Sequence, residues 1–413
     1  MDVAACKPFA KNLYYVITRN LTRNPRRSAN VALIIALGLA FGMFVYVTFA
    51  SQLTTQEWQV RASIGADLAA FPPSFDEGFG ANVSALPEVA GVTPFRTVPV
   101  PVPYGYAAVY ALDPPTYFSV TQPEPWYFRG LDSAGAKEIL ETPGNVLATE
   151  AYLREAFLTV GDRLTFRVDV YNDTGFQETL FVNVTIGGTV RGLPGTGFFG
   201  FGLPTAIYGS LETMRPILDS QSQPYYGSDR YLVDLKAGAD WRSAKEGILA
   251  LGAFEIQVAA EHLEALRSNP VFRALFGFIE MEIAFMVVIL TAGLGLILFA
   301  ATLERDVELA AVRARGASGW QTAGLLVGEA FSIMLIGMAV GVGLGVLTAF
   351  LSTQIVASGP GVGESLVPVA FTVPWEAILL VALAPAAMLL TSLAVALRVA
   401  RMDIARVLKL RGG

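Results

Sequence analysis

The residue types that most often carry out catalysis are scarce in this chain of 413 residues, which has one histidine, His262, and one cysteine, Cys6. A Cys/His metal site needs more ligands of these types, and a Ser-His-Asp triad would have to use His262. Because His262 lies close to Glu261 and Glu264 in a predicted helix, it is more typical of a surface residue than of a general base. None of the six lysines follows a glycine, so the chain has no Walker A motif. These features predict a protein that is not itself an enzyme and that has no metal site or cofactor of its own.

The densest group of charged residues lies between two long apolar runs, over residues 304–319. Its charged members are Glu304, Arg305, Asp306, Glu308, Arg313 and Arg315. Gly316 is suited to ending a helix in the left-handed conformation, and Ser318 with Gln321 fits a capping box that opens the next helix. Spacing alone leaves two interpretations open, a short charged helix at a membrane surface and an ordinary solvated loop.

The elements on either side of this loop are predicted to cross a membrane. The chain is 53% hydrophobic and only 15% charged, below the roughly 25% of charged residues in ordinary globular domains. A helix needs about 20 apolar residues to span the hydrocarbon core. Four runs reach that length: residues 31–49, 282–303, 322–351 and 375–399.

The distribution of basic residues predicts the orientation of these spans. Lys and Arg are concentrated before the first span, in the 304–319 loop and in the C-terminal tail, whereas the connection 352–374 has none. By the positive-inside rule, both termini and the charged loop are cytoplasmic, and residues 53–275 are extracytoplasmic at the cell membrane. Residues 53–275 contain 25 acidic and 15 basic residues, an excess that argues against a nucleic-acid partner. The basic cytoplasmic segments are suited to contact with membrane lipids.

This reasoning divides the chain into three parts. Residues 1–52 contain a cytoplasmic amphipathic helix and the first span, residues 53–275 form an α+β extracytoplasmic domain, and residues 276–413 contain the other three spans. In the outer domain, two strand–helix–strand pieces are expected to flank a β-rich insertion at about residues 140–203. Within the first piece we expect a short helix at residues 83–90, and within the insertion Gly161-Asp162 and Gly187-Gly188 are candidate turns.

Small and acidic residues inside the spans indicate close helix packing. The third span has two overlapping GxxxG steps at Gly337, Gly341 and Gly345, and the first has one at Gly38 and Gly42. For the third span this spacing favours helix packing or dimerisation, whereas for the first span the general frequency of glycine in membrane helices is an equal explanation. Glu329 lies within the third span and is expected to face protein rather than lipid.

The charged loop resembles that of the FtsX-like permeases. The shared pattern is ER-x-x-E-L-x-x-x-R-A-x-GAS, which is present over residues 304–318. The third span with Glu329 and its glycines, the entry sequence RNLTRNPRRS at residues 19–28, the outer segments 65–67 and 86–92, and residues 400–403 also resemble this family.

The resemblance implies the membrane subunit of an ABC transporter of the macrolide-exporter or lipoprotein-releasing type. In such systems two four-span permeases, as a homodimer or a heterodimer, work with two copies of a separate ATPase that binds ATP. The resemblance assigns docking on the ATPase to the loop, here Glu304, Arg305, Glu308, Arg313, Arg315 and Gly316, although Arg315 stands where the family often has an apolar residue. Such a subunit would export or extract an amphiphilic or envelope-associated molecule. The alternative is a non-transporting subunit that regulates an extracytoplasmic cell-wall hydrolase or a sensor.

Overall fold

The computed structural model describes residues 25–73, 77–102, 105–172, 175–196, 205–219, 229–304, 311, 314–358 and 365–400. The chain divides into two compact units. The helical unit comprises residues 1–52, 270–355 and 370–413, and the outer unit comprises residues 53–269 and 356–369.

Along the chain, one long helix comes first, a mixed set of strands and shorter helices follows, and three long helices come last. The helices are α1 Pro25–Ile64, α2 Glu77–Ser84, α3 Pro114–Thr121, α4 Ser133–Glu141, α5 Glu150–Ala156, α6 Leu211–Asp219, α7 Trp241–Ala250, α8 Ala259–Ser268, α9 Pro270–Glu304, α10 Gly319–Ala357 and α11 Trp375–Ala400. The strands are β1 Leu68–Phe71, β2 Val89–Val102, β3 Gly105–Leu112, β4 Asn145–Thr149, β5 Arg163–Asn172, β6 Gly175–Val190, β7 Ala206–Ser210, β8 Arg230–Leu235 and β9 Glu255–Val258.

Four of these helices, α1, α9, α10 and α11, contain segments long and apolar enough to cross a membrane. Each of these segments overlaps one of the four runs predicted from the sequence, although the second segment, at Pro270–Gly293, begins earlier than the predicted run at residues 282–303. The N-terminal amphipathic helix expected before α1 lies outside the described residues.

The nine strands form one sheet in the order β5-β6-β4-β7-β3-β2-β8-β1-β9. Neighbouring strands are antiparallel except for the pairs β3–β7 and β4–β6, which are parallel. The two strand–helix–strand pieces β1-α2-β2 and β8-α7-β9 interleave, because β8 lies between β2 and β1 and β1 lies between β8 and β9. The α+β class predicted for this domain is confirmed.

Alternation along the strands sends side chains to both faces of the sheet, and helices cover both faces. In β1, Ala69 and Phe71 join one buried apolar cluster, whereas Leu68 and Ala70 join another. The side chain of Asp240 accepts a hydrogen bond from the backbone N–H of Arg242 and so caps α7. Local capping and strand alternation together place the helices over the sheet.

The predicted β-rich insertion contains β4, β5 and β6, which form one end of the same sheet. The expected turn at Gly187-Gly188 is wrong, because both glycines lie inside β6. Val146 is paired with Ile186 and Leu147 with Gly188, so Gly187 is an extra residue in β6, a bulge. A Cβ atom on Gly187 would lie 2.6 Å from Cγ2 of Ile139 in α4, which explains why a glycine is needed there.

The helix expected at residues 83–90 is also displaced. The structure has α2 at Glu77–Ser84, then a turn in which the N–H of Leu86 bonds to the carbonyl of Val83 and that of Val89 to the carbonyl of Leu86. Pro87 has no N–H to continue a helix and disfavours helical geometry in the residue before it. The helix therefore precedes the proline, and β2 begins directly after the turn.

Candidate coupling loop and glycine face

The charged loop lies between the last residue of α9, Glu304, and the start of α10. Three of the residues predicted to dock on an ATPase, Arg305, Glu308 and Arg313, lie outside the described residues. Arg315 is exposed, and its N–H donates to the carbonyl of Ala311 at 3.2 Å, as in a helical turn. Gly316 follows with a φ of 99°, the left-handed conformation that favours glycine at a helix end.

The predicted capping box at the start of α10 is confirmed. The N–H of Ser318 donates to Oε1 of Gln321 at 2.9 Å, and the N–H of Gln321 donates to Oγ of Ser318 at 3.2 Å. The Ser318 carbonyl also accepts from the hydroxyl of Thr322 at 3.2 Å. These reciprocal bonds fix the point at which the chain leaves the charged loop and enters α10.

The three glycines of α10 form a glycine face that lies against α1. Cβ atoms built on Gly337, Gly341 and Gly345 would lie 2.9, 2.7 and 2.6 Å from the carbonyl oxygens of Ala32, Ala36 and Ala40, respectively. Each step of four residues along α10 matches a step of four in the same direction along α1. The two helices therefore run parallel. Their backbones are so close that larger residues at these three glycine positions would force the helices apart.

For the other residues that the sequence analysis named inside the spans, the structure gives the position and the degree of burial. Gly42 is buried and Gly38 is half-buried in α1, and Glu329 is half-buried in α10. In the outer unit His262 is exposed, and its Nδ1 lies 3.0 Å from the carbonyl oxygen of Val258. This contact stays within its own helix turn, and among the described residues no group of three or more His, Cys, Asp or Glu could hold a metal.

Sequence reasoning missed an anchored segment in the connection from α10 to α11. We name residues Ser365–Val369 the connection segment. Leu366 and Val367 are each only 5% exposed and belong to a buried cluster of the outer unit, and Nη2 of Arg191 donates to the carbonyl of Ser365 at 2.6 Å. The apolar sequence SLVPVAF gave a signal of burial, but its lack of basic residues was used only to assign it to the outer side.

A second missed residue is Arg230, which is 6% exposed at the start of β8. Its guanidinium carbon lies 5.7 Å from the ring centroid of Phe71 and 5.2 Å from that of Phe95. Burial lowers the pKa of this guanidinium, and the nearby Tyr110 opposes that effect. Aromatic faces therefore accommodate a charge inside the outer unit.

The four apolar helices, each long enough to cross a membrane, and the mixed sheet define the architecture of a membrane protein with a separate α+β domain. Within it, residues 281–404 match the family model described as FtsX-like permease C-terminal. The match includes the charged loop, the glycine face and the last two spans, so the resemblance to FtsX-like permeases is confirmed for this part of the chain. FtsX-like permeases are membrane components of ABC transporters and work with ABC ATPases.

Several solved structures are similar to the chain, among them the following three. The periplasmic region of MacB from Actinobacillus actinomycetemcomitans is 14% identical, with a TM-score of 0.31, over 50% of this chain and 95% of that one. The extracellular domain of the noncanonic ABC-type transporter YknZ from Gram-positive bacteria is 11% identical, with a TM-score of 0.29, over 47% of this chain and 98% of that one. A domain of a putative permease protein from Porphyromonas gingivalis is 17% identical, with a TM-score of 0.26, over 45% of this chain and 76% of that one. No curated protein sequence matches the chain.

Proposed function

We propose that this chain is the permease subunit of an ABC system and couples ATP hydrolysis by a separate ATPase to movement of its outer unit. The observation that carries the proposal is the family match over residues 281–404, which includes a charged loop set between two apolar helices. The chain itself would hold no nucleotide or other cofactor, since ATP binds to the partner. The molecule moved would be amphiphilic or associated with the cell envelope.

The coupling step in this proposal takes place at residues 304–319. The positive-inside rule puts the loop and both termini in the cytoplasm, where an ATPase is accessible. The capping box at Ser318 and Gln321 and the sharp turn at Gly316 support direct transfer of a push on the loop into α10. The glycine face then supports transfer from α10 to α1, because the backbones touch and leave little room to slide.

Two ATPase copies and two permeases would complete the assembly, with the second permease either identical or different. The outer unit, residues 53–269 with the connection segment, would change shape and act on the substrate. The continuous helix α1 supports this transmission, because its residues 25–52 belong to the helical unit and residues 53–64 belong to the outer unit.

Charge reversal in the loop tests the coupling role. The full chain is purified from native membranes in mild detergent, and co-eluting proteins are identified by mass spectrometry alongside an ATPase assay. We expect a stoichiometric ATP-binding subunit with the wild type and its loss with Arg313→Glu, because reversing a docking charge replaces attraction with repulsion. The control Arg411→Glu changes the net charge equally in the basic tail and is expected to keep the ATPase bound.

Two results would contradict the proposal. One is retention of the ATPase and its activity in the double variant Glu308→Arg/Arg313→Glu, which would remove the docking role from the loop. The other is a wild-type chain that carries no ATPase even after crosslinking in membranes. Recovery of a stoichiometric cell-wall hydrolase on the outer unit would instead favour the alternative, a non-transporting regulator.

A further inference from the structure

The outer unit contains a cavity of about 450 Å³ that the coupling proposal does not use. Its wall is formed by the last turns of α1, the segment between α1 and β1, the end of β8, the end of α3 with the residues that follow it, and Pro194. We name it the tryptophan cavity, after Trp58 and Trp126, which both line it. The volume lies within the range of small-molecule sites in proteins, about 300–1,000 Å³.

The charges around the tryptophan cavity are strongly unbalanced. Four carboxylates line it, from Glu57, Asp67, Glu124 and Asp234, against the single guanidinium of Arg61. Arg267 from α8 neutralises one of them, through a 2.5 Å ion pair between its Nη2 and Oε1 of Glu57. In the described part of the chain, no ion pair joins the other three carboxylates to a Lys or Arg.

Two of these carboxylates are held next to each other. Oδ2 of Asp67 accepts a hydrogen bond from the N–H of Leu235 at 3.0 Å, which fixes Asp67 beside the end of β8. Asp234 lies there too, and partial burial together with the adjacent Asp67 raises its pKa. Close carboxylates repel when both are ionised, so a ligand cation would relieve an unfavourable arrangement that is already built into the fold.

The aromatic wall offers the second type of contact that an organic cation requires. The rings of Trp58 and Trp126 are stacked with centroids 4.9 Å apart and planes 25° apart, and Tyr127 continues the aromatic group at 6.0 Å from Trp126. Tryptophan is the side chain that attracts cations most strongly through its ring. Large apolar rings also remove the hydrocarbon part of a ligand from water. Carboxylates and indoles therefore line the same space.

We propose that the tryptophan cavity binds the positively charged end of an amphiphilic organic cation. The inference rests on the proposed function in one respect only, since it assigns a chemical class to the molecule that the permease moves. Carboxylates supply the charge, and the indoles supply cation–π and apolar contact. A small hydrated metal ion would make no use of the indole wall.

The test measures binding of tetraphenylphosphonium to the full chain in lipid nanodiscs by quenching of tryptophan fluorescence. Tetraphenylborate has nearly the same shape and the opposite charge, and is the ligand control. The variant Glu124→Gln/Asp234→Asn removes two cavity charges while keeping similar side-chain shapes. The matched variant Glu138→Gln/Glu246→Gln removes two exposed carboxylates that do not line the cavity. Partitioning into lipid is the same for all these proteins and cancels in the comparison.

We expect saturable quenching of the wild type by the cation and a dissociation constant raised at least about tenfold in the cavity double variant, because two attractive charges are lost. The matched variant is expected to bind as the wild type does, and the anion to give no saturable signal. Trp126→Leu provides a second variant, also expected to weaken cation binding, if the double variant fails to fold. Unchanged affinity in the cavity variants, or quenching by lipid partitioning alone, would overturn the proposal.

Failure of this site and failure of the permease function give different results. Binding is measured without any ATPase, so a chain that has lost its partner through Arg313→Glu is still expected to bind the cation. Conversely, a wild type that binds its ATPase but not the cation would leave the permease proposal intact and remove the cation site.

Discussion

Asp240 illustrates how a single exposed side chain determines where a helix begins. It caps α7, and the hydrogen bond from the N–H of Arg242 is the main reason that its pKa is lowered from 3.8. A carboxyl with a lowered pKa in the folded state stabilises the fold above its unfolded pKa, and that contribution is lost as the pH falls through its folded pKa.

We therefore predict that Asp240→Ala lowers the thermal midpoint of the full chain at neutral pH, because the cap is lost. The difference between wild type and variant is expected to shrink only when the pH falls below about 3.8, the ordinary pKa of aspartate. Differential scanning fluorimetry across pH measures both effects. A difference that stayed constant down to pH 2 would show that the charge of Asp240 is unimportant.

Residue-scale features differ in how well the sequence predicts them. Ser318 and Gln321 were predicted correctly, since a capping box depends only on neighbours three residues apart. Gly187 was misassigned to a turn because the need for a glycine there comes from Ile139 of α4. Ile139 is distant in the sequence but lies against β6 in the fold. Local chemistry can be inferred from spacing, whereas a close approach between distant elements cannot.

At the scale of elements, the contact between α10 and α1 is the clearest case of geometry imposed by small residues. The GxxxG spacing predicted a packed face, but spacing alone did not show which helix lies against it or that the two run parallel. The tryptophan cavity was likewise not predictable from spacing. Trp58 and Trp126 belong to separate elements, and no sequence pattern indicates that their rings stack.

Gly341→Leu is predicted to destabilise the helical unit by about 1–3 kcal/mol, the usual cost of overpacking. A Cβ at Gly341 would lie 2.7 Å from the carbonyl oxygen of Ala36, so α10 and α1 must separate. Gly343→Leu is the matched control, because a Cβ there meets nothing within 4 Å. Thermal unfolding in nanodiscs compares the two variants, and equal losses of stability would argue against a special role for the glycine face.

At the scale of the whole molecule, both units are discontinuous in sequence. Residues 356–369 belong to the outer unit although they join two helices of the helical unit. Hydropathy predicted the four spans and the large outer domain well, because those signals are long and uniform. The apolar connection at Leu366 and Val367 indicated burial, but hydropathy did not show that these residues complete the core of the outer domain, because it does not say which residues pack together.

Val367→Asp is predicted to cost about 3 kcal/mol or more of stability, because an unpaired charge would be buried at a site that is 5% exposed. Phe181→Asp makes the same type of change at a residue of β6 that is 62% exposed and is expected to have little effect. Limited proteolysis of the outer unit reports its local opening. Equal protease resistance of the two variants would show that the connection segment is not part of the core.

The place of the connection segment in the chain also determines when the outer unit can finish folding. Domains generally fold as the ribosome releases them. Here Leu366 and Val367 emerge only after α9 and α10 have been synthesised, whereas the rest of their cluster ends before Pro270. The outer core therefore stays incomplete throughout the insertion of two membrane helices. In a nascent chain that has failed to insert them, the part of the core that Leu366 and Val367 would cover stays exposed, and quality-control proteases can recognise it.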